Sequence, residues 1–150
     1  MAYATLNDLL QVEPHIQDYG ILDWEVELAR SESELNRILS VRWWPTFKSE
    51  GRASNATWIS GGPLLDPTKL DPTQWTQATV YHALAYHICP KLTQFVPEED
   101  KFQVMMKYYA GRFEHEMDLC LREGVRYDSD SDGTFSDVEK SPDFNLRLKR

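Results

Sequence analysis

The stretch DPTQWTQATVYHALAYHICP, residues 71–90, carries the clearest secondary-structure signal in the chain. Asp71 is a good N-cap, Pro72 suits the first helical position, and Gln74 has the spacing of a capping box. The stretch then runs without a helix breaker to Pro90, where we expect the helix to end. Because its apolar residues lie nearly all round, we predict a helix at the centre of a bundle.

Further helices are predicted on both sides of this stretch. Residues 2–12 form a short amphipathic helix, and residues 23–44 repeat apolar side chains at helical spacing. A long helix should begin at Pro97, beside three acidic residues, and end at Glu123. We therefore predict an all-α fold: a small helical bundle with two long C-terminal helices, a long middle loop and an extended C-terminal arm.

The long helix has an apolar stripe that we expect to be buried, consisting of Phe102, Met105, Met106, Tyr109, Phe113, Met117 and Cys120. Gly111 interrupts this helix and costs it roughly 1 kcal/mol relative to alanine. We therefore expect another helix to cross closely at Gly111.

Length and composition indicate one ordinary domain. The chain has 150 residues, of which 41% are hydrophobic, and this is enough for a core without disulfides or metal. We divide it into a helical domain, residues 1–126, and a tail, residues 127–150. No apolar run is long enough to span a bilayer, and the first residues lack the features of a signal peptide. We expect that the protein is made in the cytoplasm and either remains there or becomes part of an assembly that forms there.

Charge and cysteine content argue against two further classes of protein. The formal net charge of −8 argues against a protein that grips nucleic acid through phosphate contacts. Cys89 and Cys120 are too few and too far apart for a disulfide framework or a zinc site, and we interpret both as buried free thiols.

An acidic stretch, YDSDSDGTFSDVEK at residues 127–140, matches the spacing of a calcium-binding loop of the EF-hand type. Such a loop needs oxygen ligands at fixed positions and a glycine at the sharp turn, here Gly133. The predicted ligands are Asp128, Asp130, Asp132, Thr134 (by its carbonyl), Ser136 and Glu139. Glu139 would bind the ion through both carboxylate oxygens.

The surroundings of this loop do not favour a calcium sensor. Pro142 interrupts the outgoing helix almost at once, and no second loop exists to pair with it. Two interpretations stay open: a structural calcium ion that pins the C-terminal arm, and a solvated acidic turn without metal.

Two segments indicate contacts with partners. Residues 45–70 form a long loop rich in glycine and proline, and we expect exposed interface aromatics at Trp43, Trp44 and Trp58. The last eight residues alternate apolar and basic side chains and form either a frayed terminus or an extended arm that binds a partner. The predicted contact residues of the arm are Phe144, Leu146, Arg147, Leu148, Lys149 and Arg150.

The remaining candidates for chemistry are weak. His82 and His87 are five residues apart on the central helix, which would leave them on different faces, so we interpret them as core or interface histidines and not as a metal pair. No nucleophile elbow, phosphate-binding loop, dinucleotide fingerprint or zinc-protease motif is present. We expect no enzymatic activity.

The helix VYHALAYHICPKL, the helix DKFQVMMKYYAGRFEHEMDLCL, the segment GVRYDSDSDGTFSDVEK and the final RLKR together resemble the head–tail adaptor proteins of tailed bacteriophages. The resemblance covers about the last half of the chain. It rests on helix order, helix lengths and tail, and on no catalytic motif.

The resemblance implies a structural virion protein. Such a protein assembles in the host cytoplasm as a ring, commonly of twelve copies, on the portal protein, and extends the DNA channel toward the tail. Residues 143–150 would reach the portal, and residues 45–70 would contact neighbouring copies or the next neck or tail protein. The genome would pass through without specific binding, and no membrane is involved. The alternative function is a soluble calcium-binding module.

Overall fold

The computed structural model describes residues 2–49, 64–98 and 100–140, and these residues form helices and turns without a β-strand. The prediction of an all-α fold is confirmed. The first three helices are α1 (Leu6–Val12), α2 (Glu25–Arg42) and α3 (Trp44–Ser49). Short 3₁₀ helices lie at Ile16–Tyr19 and Pro67–Lys69.

The residues of the opening stretch form one continuous central helix that changes its winding along its length. It consists of a 3₁₀ turn (Pro72–Trp75), α4 (Thr76–Ala83), a π-helical segment (Leu84–Ile88) and α5 (Cys89–Leu92). It packs against α2 on one side and against α6 (Lys101–Glu123) on another, so its central position is confirmed.

The prediction that this helix ends at Pro90 is wrong, because it continues to Leu92. In a regular α-helix a proline ring clashes with the carbonyl four residues earlier. The π-helical segment directly before Pro90 widens the turn, and Cys89 N–H donates to the carbonyl of Leu84, five residues back. This local widening accounts for how the helix passes through a proline.

The same segment overturns the expectation that His82 and His87 lie on different faces. A π turn bonds residues five apart, so it stacks positions that an α-helix would separate by about 140°. The two imidazole rings have centroids 5.6 Å apart, and both side chains are buried.

The N-terminus of the central helix is capped as predicted, but Gln74 has another role. The Asp71 carboxylate accepts a hydrogen bond from Thr73 N–H at 3.1 Å. Gln74 forms no capping box, because its side-chain amide donates to the carbonyl of Gly124 and accepts from Arg126 N–H, both at 2.9 Å. Gln74 therefore joins the start of the central helix to the end of α6.

α6 begins at Lys101 and not at Pro97, because Asp100 is its N-cap and forms a reciprocal capping box with Gln103. It ends at Glu123 as predicted, and Gly124 follows with φ of 107°, a conformation that favours glycine. Tyr109, Phe113, Met117 and Cys120 of the predicted stripe are buried, whereas Phe102, Met105 and Met106 are half-buried.

No helix of the described chain crosses closely at Gly111, so that expectation is wrong. A Cβ atom added at Gly111 would meet no described atom within 4 Å. The glycine lies on the exposed side of α6.

The predicted loop of residues 45–70 is partly helical. α3 occupies Trp44–Ser49, with Pro45 in its first turn, and a 3₁₀ helix occupies Pro67–Lys69. Residues 50–63 of that loop lie outside the described residues. None of the described helices combines the length and apolar character needed to cross a membrane. Cys89 and Cys120 are free and buried, as predicted.

Candidate functional site

The acidic loop is attached to the helical bundle through an aromatic cluster, which we define as Trp43, Trp44, Phe47 and Tyr127. Their ring centroids are 4.6–5.8 Å apart, and each side chain is at most 4% exposed. The expectation that Trp43 and Trp44 are exposed interface residues is therefore wrong. Both side chains pack on Tyr127, where the acidic stretch begins, and this contact holds α3 against that stretch.

Backbone pairing strengthens this attachment. Leu70 and Tyr127 form an isolated antiparallel bridge, in which Asp71 N–H donates to the Arg126 carbonyl at 3.1 Å and Asp128 N–H to the Lys69 carbonyl at 2.9 Å. The acidic loop therefore starts from a fixed position.

Two aspartates of the loop close it on itself. The Asp128 carboxylate accepts from Asp132 N–H at 3.1 Å and from Gly133 N–H at 3.0 Å. The Asp132 carboxylate accepts from Thr134 N–H at 2.7 Å and from its hydroxyl at 2.8 Å. Short side chains that accept from nearby amides stabilise a turn in this way.

Glu139 lies in a short helix, α7 (Asp137–Lys140), and reaches back into the loop. Its Oε1 accepts from Ser129 N–H at 2.7 Å and from the Ser129 hydroxyl at 2.8 Å, while Oε2 accepts from Ser136 N–H at 2.8 Å. Burial works against its ionisation, but these hydrogen bonds outweigh burial and lower the pKa of Glu139 to about 2. The ionised side chain of Glu139 therefore connects Ser129 with Ser136 and closes the loop.

Three of the six predicted calcium ligands come together. Carboxylate oxygens of Asp128, Asp130 and Glu139 lie within 4.8 Å of one another, whereas Asp132 is not one of this group. The Asp132 amide stabilises the charged form of Asp130, but desolvation, the Asp128 carboxyl and the charges of Asp132 and Glu139 raise the pKa of Asp130. Such crowding of like charge is relieved by a proton or by a cation.

The other predicted ligands act within the loop. Thr134 donates to Asp132, and Ser136 both donates to Glu139 through its amide and accepts from Glu139 N–H through its hydroxyl at 3.3 Å. Glu139 can bind an ion through both oxygens only when the Ser129 hydroxyl releases Oε1, because two lone pairs of that oxygen are already used.

A second surface feature, which sequence reasoning missed, lies on the side of α6 that faces away from the core. Val104, Tyr108, Gly111, His115 and Leu119 follow one another at spacings of three and four residues, and we call them the α6 outer stripe. Val104, Tyr108 and Leu119 are 53%, 60% and 46% exposed. The signal was present in the sequence as a second apolar repeat on the same helix, offset from the buried one.

The remaining predicted contact residues fall outside the described residues. These are Trp58 in the middle loop and the arm residues Phe144, Leu146, Arg147, Leu148, Lys149 and Arg150.

Comparison of the chain with protein-family models, with curated proteins and with solved structures finds no match.

Proposed function

We propose that this chain is a structural virion protein, a head–tail adaptor that assembles as a ring on the portal and extends the DNA channel toward the tail. The proposal starts from the resemblance of the last half of the chain to that family. It implies a protein without catalytic activity, whose surface is used for contacts with copies of itself, the portal and the next neck or tail protein.

The single observation that carries this proposal is the α6 outer stripe. Large apolar side chains that line one exposed side of a long helix cost free energy in water and favour burial against a partner. Gly111 in the middle of the stripe has open space above it, so the backbone of α6 can be approached closely there. We assign this side of α6 to the contact with a neighbouring copy in the ring.

Charge supports the same function. A ring whose subunits each carry a formal net charge of −8 repels the phosphate backbone, so that DNA can slide through its channel instead of adsorbing.

The experiment compares wild type with Tyr108→Glu and Leu119→Glu, each mixed with the portal protein and examined by native mass spectrometry. We expect wild type to form a ring and both variants to remain monomeric or to bind the portal incompletely. Leu22→Glu is the matched control, because Leu22 is 70% exposed but lies outside α6. A wild-type chain that stays monomeric and ignores the portal would contradict the proposal.

The acidic loop supports a second candidate function, a calcium-binding module. The supporting observation is the convergence of Asp128, Asp130 and Glu139 on one closed turn. Calcium that binds only the folded chain raises its stability by mass action, by about 2.7 kcal/mol at a concentration 100 times the dissociation constant.

Thermal unfolding with and without millimolar calcium tests this candidate. The expected result is an increase in Tm with calcium that is small with magnesium and absent in Asp130→Asn, which leaves the Glu139 hydrogen bonds in place. An unchanged Tm of the wild type in calcium would eliminate the module.

A further inference from the structure

Glu34 of α2, His82 of α4 and His87 of the π-helical segment converge on one point. His82 Nε2 lies 3.4 Å and His87 Nε2 lies 3.1 Å from the same oxygen, Glu34 Oε2. The candidate ligand atoms of the three residues all lie within 4.8 Å of one another. Both histidines are buried, and Glu34 is partly exposed.

The backbone between the two histidines contains a π-helical segment, and this segment brings their side chains together. π-helical turns are rare and occur frequently at functional sites. Here the π-helical segment Leu84–Ile88 begins two residues after His82 and ends two residues before Pro90. Without it, residues five apart would point in directions about 140° apart, and the two imidazoles could not share one carboxylate.

We propose that Glu34, His82 and His87 bind a divalent transition-metal ion, with Zn²⁺ as the best fit. Tetrahedral zinc with bonds of about 2.0–2.1 Å places neighbouring ligand atoms about 3.3 Å apart. The two His–Glu separations, 3.1 and 3.4 Å, match this edge length, and the ligand nitrogens of the two histidines lie within 4.8 Å of each other. Two imidazoles and one carboxylate leave a fourth position for water or for a ligand from a partner.

Ser31 orients one of the two imidazoles. His82 Nδ1 lies 3.0 Å from the Ser31 hydroxyl, which is fully buried. In the tautomer whose Nδ1–H donates to this hydroxyl, Nε2 carries the lone pair that a metal needs. A partner on the second ring nitrogen is the usual accompaniment of a metal-bound histidine.

An ion can reach this cluster from solvent. Glu34 and His82 line a cleft of about 380 Å³ together with Arg37, Ile38, Val41 and Arg42 of α2. Arg42 is held by Glu114 at 3.0 Å. Arg37 adds positive charge to the cleft, which favours an anionic ligand at the fourth position of the metal.

The competing interpretation is a purely structural cluster, in which both Nε2–H groups donate to Glu34 and no metal binds. The two interpretations differ in what Glu34→Gln does. A glutamine oxygen still accepts hydrogen bonds from the imidazoles, but the loss of negative charge removes a zinc ligand.

The test is titration of the full-length, tag-free, chelator-treated chain with Zn²⁺ by calorimetry and with Co²⁺ by visible absorption. We expect one ion per chain with a tetrahedral Co²⁺ spectrum in wild type, and affinity weakened by more than about tenfold in Glu34→Gln and in His87→Gln. Ser31→Ala, which removes the hydrogen-bond partner of a proposed ligand, should weaken binding by about 10- to 100-fold. Circular dichroism identifies any variant that fails to fold. If a histidine variant does not fold, Glu34→Gln decides the test, because Glu34 is partly exposed and its replacement should be tolerated.

Two control variants separate this site from other ligands. His115→Ala changes an exposed histidine of α6, and Asp130→Asn changes the acidic loop, so both should bind Zn²⁺ like wild type. The proposal is overturned if wild type binds no Zn²⁺ at millimolar concentration, if Glu34→Gln binds it as tightly as wild type, or if only Asp130→Asn loses it.

Discussion

The buried side-chain amide of Gln74 is important for the stability of the fold, because it binds two backbone groups of a distant segment. It satisfies the carbonyl of Gly124 and the N–H of Arg126, where the chain leaves α6. Buried backbone groups that lose their partner cost about 1–3 kcal/mol each. Gln74 is only 8% exposed, so water does not readily replace its amide.

We predict that Gln74→Leu lowers the free energy of unfolding by about 2–4 kcal/mol, because two backbone groups lose their partner while the side-chain volume changes little. Urea denaturation measures the loss. Gln77→Leu on the exposed side of the same helix is the control and should change stability by less than about 0.5 kcal/mol. Equal effects of the two substitutions would show that the bridge contributes nothing.

Both thiols should be unreactive in the folded chain. Burial is the largest cause that raises the pKa of Cys89 and of Cys120 to about 12, with nearby carboxylates adding to it. Because the thiolate is the reactive form, we predict almost no labelling by a disulfide reagent at pH 8 and two labelled thiols per chain in denaturant. Rapid labelling of either thiol without denaturant would contradict the observed burial.

Glu139 should make the stability of the chain depend on pH. Its pKa falls from an ordinary value of 4.5 to about 2 in the folded chain, so the unfolded chain binds more protons between these pH values. The stabilisation from its ionised form is therefore complete above pH 4.5 and is lost as the pH falls toward 2.

Glu139→Gln removes this titration and tests it. We predict that wild type exceeds the variant in free energy of unfolding most at about pH 6, and that the difference shrinks at about pH 3. Urea denaturation at the two pH values measures it. A difference that is the same at both values would show that Glu139 does not act through its charge.

At the level of single helices, α6 has two apolar sides in different surroundings. The buried side packs on the central helix, and the α6 outer stripe faces solvent within one chain. Gly111 belongs to the second side, where it weakens the helix without serving any contact in the described chain.

Gly111→Ala should therefore have opposite effects on the stability of the single chain and on formation of the proposed ring. We predict a gain of about 0.5–1 kcal/mol in the stability of the monomer, because alanine is the better helix former and its methyl group meets open space. We also predict weaker ring formation, since the methyl group obstructs close approach by a neighbour. Thermal unfolding and native mass spectrometry give the two values, and stronger assembly would argue against a contact at this glycine.

The sequence predicted elements with strong local signals and missed those that depend on tertiary contacts. The N-cap signal of Asp71 and the glycine signal of Gly124 located the start of the central helix and the C-terminus of α6, whereas Pro90 and Pro97 did not mark helix ends. The passage of the central helix through Pro90 could not be predicted, because the π-helical segment has no local signature. The pairing of His82 with His87 was missed for the same reason.

Exposure was predicted less well than helicity. Trp43 and Trp44 lie beside a glycine-rich loop, which favoured a surface position, yet Tyr127 from a distant part of the chain covers them. Capping by Gln74 was predicted from spacing alone, whereas the chain at the end of α6 offers that side chain two backbone partners. Spacing in sequence cannot reveal a contact of this kind.

In the molecule as a whole, the bundle combines a tightly packed interior with an exposed apolar stripe on α6. The aromatic cluster and Gln74 hold the start of the acidic loop against the bundle, and the α6 outer stripe remains open. This division suits a subunit whose rigid body presents surfaces to neighbouring copies.

The most direct test of the adaptor function is electron cryomicroscopy of this chain bound to its portal protein. We predict a closed ring in which Tyr108 and Leu119 of each copy are buried against the next copy. Single copies scattered on the portal, or a ring in which this side of α6 faces solvent, would contradict it.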